Sequence, residues 1–175
     1  IVIANGKTWA ADGPEVTPQR PGYKELVWPY PQDKMTEQDK QEYKEWVDWE
    51  LRDSYTGYFR APGMTTVYYK SKPAWTMQYG GHGQTEGHEE KVKGTFEFLR
   101  RALMRVPPEL PLRGPKLYEE ESKKYEFEML EGNIEDGLWR EKIVEDGEMT
   151  FTQTGLNGIV INKDANRQPV TPWDL

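Results

Sequence analysis

The sequence predicts an α+β domain made of two tandem, pseudo-symmetric antiparallel β units with one amphipathic helix packed on the sheet. Three observations carry that expectation. At a constant offset of 75 residues, Gly57, Gln78, Gly80 and Gly83 recur as Gly132, Gln153, Gly155 and Gly158, the mark of an internal duplication. The two stretches, about 49–83 and 125–158, share an order of strand-like run, glycine turn, second run, tight turn and a third run ending in G-x-x-G. Between them, Val92, Phe96, Leu99, Leu103 and Val106 fall on one face of a helix over 89–106, widened by Phe98 and Ala102 and stopped by Pro107 and Pro108.

Taken in order, residues 1 to 31 are rich in Pro and Gly and read as a loop-like wrap, with Trp9, Tyr23, Leu26 and Trp28 available to pin it to a core. Residues 31–48 read as a charged helical insertion, its surface helix starting at the capping residue Thr36 and running to Trp46, with acidic residues in its first turn. Strands follow at about 47–56, 65–70 and 74–79, rich in Tyr, Trp, Thr and Val, with K-S-K-P turning the last two. After the helix over 89–106 and the loop PPELPLRGPKLYEEE come strands near 125–131, 139–145, 148–154 and 158–162. Asp146-Gly147 supplies a hairpin turn. The tail, 163–175, has no pattern beyond Trp173, which could dock it.

At 175 residues the chain is read as one domain, 1–175, able to bury ~70% of its unfolded surface. It has no cysteine, which excludes disulfides, thiolate zinc sites and thiol chemistry. No apolar run approaches the ~20 residues of a membrane helix, and the opening IVIA is too short for a signal-peptide core, so a soluble, cytoplasmic protein is expected. What lies upstream of Ile1 is left open. With 23 Lys and Arg against 30 Asp and Glu the formal charge is −7, which opposes nucleic-acid binding. The basic run RRALMR, Arg100 to Arg105, reads as the solvated face of the helix, flanked by Glu97 and Glu109.

A loop motif also repeats, RPGYKEL from Arg20 resembling LRGPKLY from Leu112, each ahead of a strand unit. The order K-x-x-A…RPGxKxL, W-E-x-x-D-S-Y-x-G…V-Y-Y…P-x-W-x-M-x-Y-x-G, F-L-R-R-A-L…V-P-P-E-L-P-x-R-G-P and Y-x-F-x-x-x-x-E-G-x-I resembles a bacterial and archaeal domain of unknown function. That domain often stands alone or follows a helix-turn-helix in predicted transcriptional regulators. The resemblance spans about Lys7 to Asn162. It rests on Arg20, Pro21, Gly22, Asp53, Ser54, Tyr55, Gly57, Gly63, Pro73, Trp75, Tyr79, Gly80, Arg113, Gly114, Pro115, Glu131 and Gly132. It implies a fold, but brings no activity. This chain departs from it in having no helix-turn-helix and in the charged stretch Pro31 to Asp48.

Three sets of residues could carry chemistry. An aromatic complement of 7 Trp, 10 Tyr and 5 Phe offers flat faces with polar rims, and Trp49, Tyr55, Tyr58, Tyr68, Trp75, Tyr79 and Trp139 are the expected lining of a ligand groove between the units. GGHGQTEGHEE, Gly80 to Glu90, holds both histidines, so that His82, Glu86 and His88 could bind a divalent metal, although the spacing matches no zinc signature. Pseudo-symmetry could also bring Glu50 or Asp53 together with Glu126, Glu128 or Glu131 as an acid–base pair. Ser54, Ser71 and Ser122 sit in no nucleophile elbow. The favoured function is a non-catalytic ligand-sensing or protein-interaction module that needs no cofactor. The alternatives are a metal-dependent hydrolase or lyase centred on His82 and His88, and a self-associating scaffold whose partner is a second copy, as a homodimer.

Overall fold

The alternation that marks the strands resolves into one nine-stranded sheet in the computed structural model, which describes residues 6–174; the opening IVIA lies outside them. In chain order the strands are β1 (Glu15–Val16), β2 (Lys24–Trp28), β3 (Trp49–Tyr55), β4 (Gly63–Tyr69), β5 (Lys72–Gln84), β6 (Leu117–Glu120), β7 (Lys123–Gly132), β8 (Asp136–Glu145) and β9 (Glu148–Ile159). Their spatial order is β1-β2-β3-β4-β5-β9-β8-β7-β6, two meanders running in opposite directions and joined through their last strands. Each neighbouring pair is antiparallel. A small ribbon, β10 (Asn162–Lys163) with β11 (Pro169–Val170), follows.

Local chemistry explains the connections. Asp146 and Gly147, both at positive φ, close the β8–β9 hairpin, and Lys70 and Ser71 at φ 47° and 65° close β4–β5. The first helix, α1 (Glu37–Tyr43), begins at a capping box in which Thr36 accepts from the Asp39 N–H while the Asp39 side chain accepts from the Thr36 N–H. The second, α2 (Val92–Leu103), follows a 3-10 turn over Glu89–Lys91 and lies against the inner face of the sheet. Phe98 and Ala102, expected at the margin of its apolar stripe, are fully buried at its centre. Phe96 instead sits at the edge, partly buried. The core joins Phe98, Leu99 and Leu103 to Trp28, Leu51, Val67, Met77, Phe127, Trp139 and Ile143 across both meanders.

Several expectations change. Lys24–Trp28 is a sheet strand rather than part of a loop-like wrap: it pairs with β3 along its whole length and four of its five residues are buried, Trp28 in the core and Glu25 against Arg52 on the other face. The strand expected at 148–154 runs on to Ile159 as β9, taking in the start of the one expected at 158–162, and β6 is a strand that the sequence pattern does not mark. Pro172, not Trp173, is the buried residue of the tail; Trp173 is half exposed.

The four residue pairs at offset 75 do not all occupy matching places. Gly57 and Gly132 do: both take positive φ, and a Cβ at either would meet a backbone carbonyl, of Arg60 and Asp136 respectively. Gln78 is exposed whereas Gln153 is buried on the inner face, so that pair points to opposite sides of the sheet. Gly83 sits at φ 59°, a conformation Gly158 does not share.

Candidate functional site

The site grows out of a row of polar residues where strand alternation calls for apolar ones. On β8, Glu141 stands between Trp139 and Ile143 on the same face, all three without solvent exposure. On β3, Asp53 shares the inner face with Leu51 and is paired in register with Thr65 of β4. Two buried carboxyl groups thus lie on the core side of the sheet, one in each meander.

Glu141 is enclosed by donors. Arg113, from the loop after α2, donates to Glu141 Oε1 through Nε at 3.1 Å and Nη2 at 2.8 Å; Tyr125 OH donates to Oε2 at 2.6 Å; and Gln153, its register partner on β9, donates through Nε2. The Gly114 N–H in turn donates to Tyr125 OH at 3.0 Å, fixing the hydroxyl. The Arg113 guanidinium lies over the Tyr79 and Trp139 rings, 5.4 and 5.8 Å from their centres. Burial alone would lower the Arg113 pKa, but the Glu141 carboxylate beside it more than offsets this and the value is raised. Trp139 can take this place because its register partner is Gly155, where a Cβ would run into the indole.

Asp53 has less company. Its carboxyl accepts from Thr65 Oγ1 at 2.9 Å and from Tyr79 OH at 2.9 and 3.1 Å. Burial pushes its pKa up, opposed by these hydrogen bonds and by the charge of Arg113. The Tyr79 hydroxyl is raised as well, by burial first and then by the neighbouring Asp53 charge.

Above these groups opens a cavity of about 330 Å³ between α2 and the junction of the meanders. Asp53, Tyr79, Arg113 and Gln153 line its floor. Phe96 is the hub of the wall, meeting Trp9, Tyr58 and Phe151 edge to face with ring centres 6.2, 5.7 and 6.2 Å apart. A break in the β5 register between Gly80 and Gly83 shapes one side, and the loop carrying Tyr58 and Phe59, both substantially exposed, forms the mouth. Lys24, Lys93, Glu97 and Arg100 stand at the rim, where Arg100 pairs with Asp12 at 2.5 Å and Lys24 with Glu15 at 3.1 Å.

Of the seven aromatic residues expected to line a groove, Tyr55, Tyr58 and Tyr79 line this cavity. The Tyr55 hydroxyl pKa is pushed up to about 12, chiefly by burial. Trp139 and Trp75 belong to the core instead, the Trp75 Nε1 donating to the Ile134 carbonyl at 2.7 Å. Trp49 and Tyr68 lie in an open cleft elsewhere, whose Arg52 is held by Glu25 and Glu50 at 2.5 Å each. His82 and Glu86 are exposed, and His88 faces Glu148 at 3.9 Å. Among the described residues no group of three or more His, Asp or Glu side chains could hold a metal ion, so His82, Glu86 and His88 do not converge.

The acid–base pairing expected across the units does not form either. Glu126 is held by Lys124 and Lys142 at 2.8 and 2.7 Å, Glu128 by Arg140 at 3.0 Å, and Glu131 is exposed. The carboxyls brought to one site are Asp53 and Glu141. The sequence does not single out Glu141: in Leu138–Val144 it shares the parity of Trp139 and Ile143, but Leu138 and Val144 flank Arg140 and Lys142 on the other parity in the same way. Arg113, its partner, stands out in the sequence only as part of the R-G-P motif.

The model of a family described as a domain of unknown function, DUF5680, matches residues 53–160, from the buried Asp53 to the end of β9. No curated protein and no solved structure matches the chain. Asp53, Tyr79, Arg113 and Glu141 all fall inside the matched segment, and the chain belongs to the DUF5680 family, a domain of unknown function.

Proposed function

We propose that this domain is a non-catalytic small-molecule-binding module and that the cavity between α2 and the meander junction is its site. The observation that carries the reading is the union of an aromatic wall with a buried polar floor inside about 330 Å³, the size and chemistry of sites that enclose a small ring compound. Among the described residues the lining holds no serine, histidine or cysteine, so no Ser–His or Cys–His nucleophile pair is built there. A sensing role fits the resemblance to domains that follow a helix-turn-helix. We also read the two meanders as copies of one three-stranded unit, supported by the matching turns at Gly57 and Gly132 and by the mirrored strand order.

The test is a thermal-shift and native mass spectrometry screen of the purified chain against small ring compounds, repeated on Ala61→Trp. Ala61 lines the cavity from the half-exposed mouth loop, so a large side chain there occupies space without opening the core. Compounds at about 100 times their Kd stabilise by about 2.7 kcal/mol, and the variant loses that shift. Hits that bind Ala61→Trp equally well, or a screen without hits, sink the proposal.

A further inference from the structure

The floor of the cavity has donor and acceptor capacity that the protein does not use. Arg113 donates through Nε and Nη2 to Glu141, whereas Nη1 donates to no protein atom among the described residues, and Arg113 lines the cavity. Asp53 lines it too and accepts only from Thr65 and Tyr79; a carboxylate has about four lone-pair sites, so it can accept more. Tyr79 links the two groups: the Arg113 guanidinium lies over its ring, 5.4 Å from the centre, and its hydroxyl donates to Asp53, so a guanidinium donor and a carboxyl acceptor border the cavity on either side of one tyrosine.

Resting on the binding reading above, we propose that the ligand is an uncharged, planar ring compound with a lactam-type edge, its C=O accepting from Arg113 Nη1 and its adjacent N–H donating to Asp53. Charge argues against the other classes. An organic anion drawn to Arg113 would be buried beside both Asp53 and Glu141, which in a low-dielectric cavity costs more than the single contact returns, and an organic cation drawn to Asp53 would desolvate Arg113 Nη1 and give that donor no acceptor. A purely apolar ring would desolvate Nη1 and the Asp53 carboxyl and give them nothing. A neutral edge with a donor next to an acceptor satisfies both groups at once, and its flat faces match the rings of Phe96, Phe151 and Trp9.

The experiment holds ring size constant and varies the edge: calorimetric titration of the full chain with 2-quinolinone, N-methyl-2-quinolinone, naphthalene, 2-naphthoate and N-methylquinolinium. The expected result is that 2-quinolinone binds at least about tenfold more tightly than the other four, since N-methylation keeps the rings and the carbonyl but replaces the donor hydrogen with a methyl group, and that Ala61→Trp abolishes its binding. Equal affinity for 2-quinolinone and its N-methyl derivative, or tightest binding by the naphthoate or the quinolinium, overturns the lactam-edge assignment while leaving the cavity as the site. Library hits blocked by Ala61→Trp while no probe binds overturn the assignment in the same way. Absence of any binding, from probes and library alike, removes the cavity reading with it.

Discussion

Each meander buries one carboxyl group on its inner face, and the two are treated in opposite ways. Glu141 in the second meander meets a guanidinium, a phenol and an amide, so both its oxygens are engaged. Asp53 in the first meets two hydroxyls and no cation in contact, and it borders the cavity. A buried charge enclosed by matched donors is part of the scaffold, because removing one partner strands the other. A buried carboxyl with capacity left over is a place where something else can bind. On the proposed binding reading, Glu141 is the structural carboxyl and Asp53 the one that meets the ligand.

The largest effect expected from breaking this comparison is at Glu141. Glu141→Gln leaves the Arg113 guanidinium buried without its counter-charge and should destabilise by about 3–5 kcal/mol in denaturant unfolding. If the loss is under about 1 kcal/mol, Glu141 is not the anchor argued for. Next is Tyr125→Phe, which removes the donor to Glu141 Oε2 and the acceptor for the Gly114 N–H without changing ring volume; a loss of about 1–3 kcal/mol is expected.

Asp53→Asn should act through pH. The folded pKa of Asp53 is raised, so between its unfolded and folded values the native state binds more protons than the unfolded one, and stability falls as pH rises through that window. The Tm of the natural protein should therefore decline relative to Asp53→Asn from about pH 4 upward, until Asp53 is fully ionised. Parallel Tm curves for the two proteins would show that Asp53 carries no such penalty. The smallest effect belongs to the outer face of the same second meander. Arg140 and Glu128 pair at 3.0 Å with both side chains about half exposed, and Arg140→Ala should change stability by no more than about 0.5 kcal/mol.

Much of this arrangement can be traced to particular stretches of chain. Asp146-Gly147 sets the β8–β9 turn, the apolar spacing from Val92 to Leu103 sets α2, and Thr36 with Asp39 caps α1; each is decided within a few residues, by φ preference, helical period or one side-chain hydrogen bond. Tyr55, Tyr58 and Tyr79 stand out in the sequence only as aromatic residues with polar rims, and they do line the cavity. Trp75 and Trp139 were not separable from them by composition: burial of an indole depends on what crosses above it, here the loop at Ile134 for one and Arg113 for the other.

What the sequence determined by itself is the run of strands β3 to β5 and β7 to β9, the turns that join them, the helix α2 and the presence of aromatic residues such as Tyr55, Tyr58 and Tyr79. Only the tertiary structure decided which of these meet. The pairing of β5 with β9 brings Tyr79 beside Gly155 and the two meanders edge to edge, and the loop after α2 returns Arg113 to Glu141, 28 residues further along the chain. A carboxyl group in a strand reads the same whether it faces water or a guanidinium. The cost of burying its charge is settled by partners from distant segments, and no local pattern encodes them.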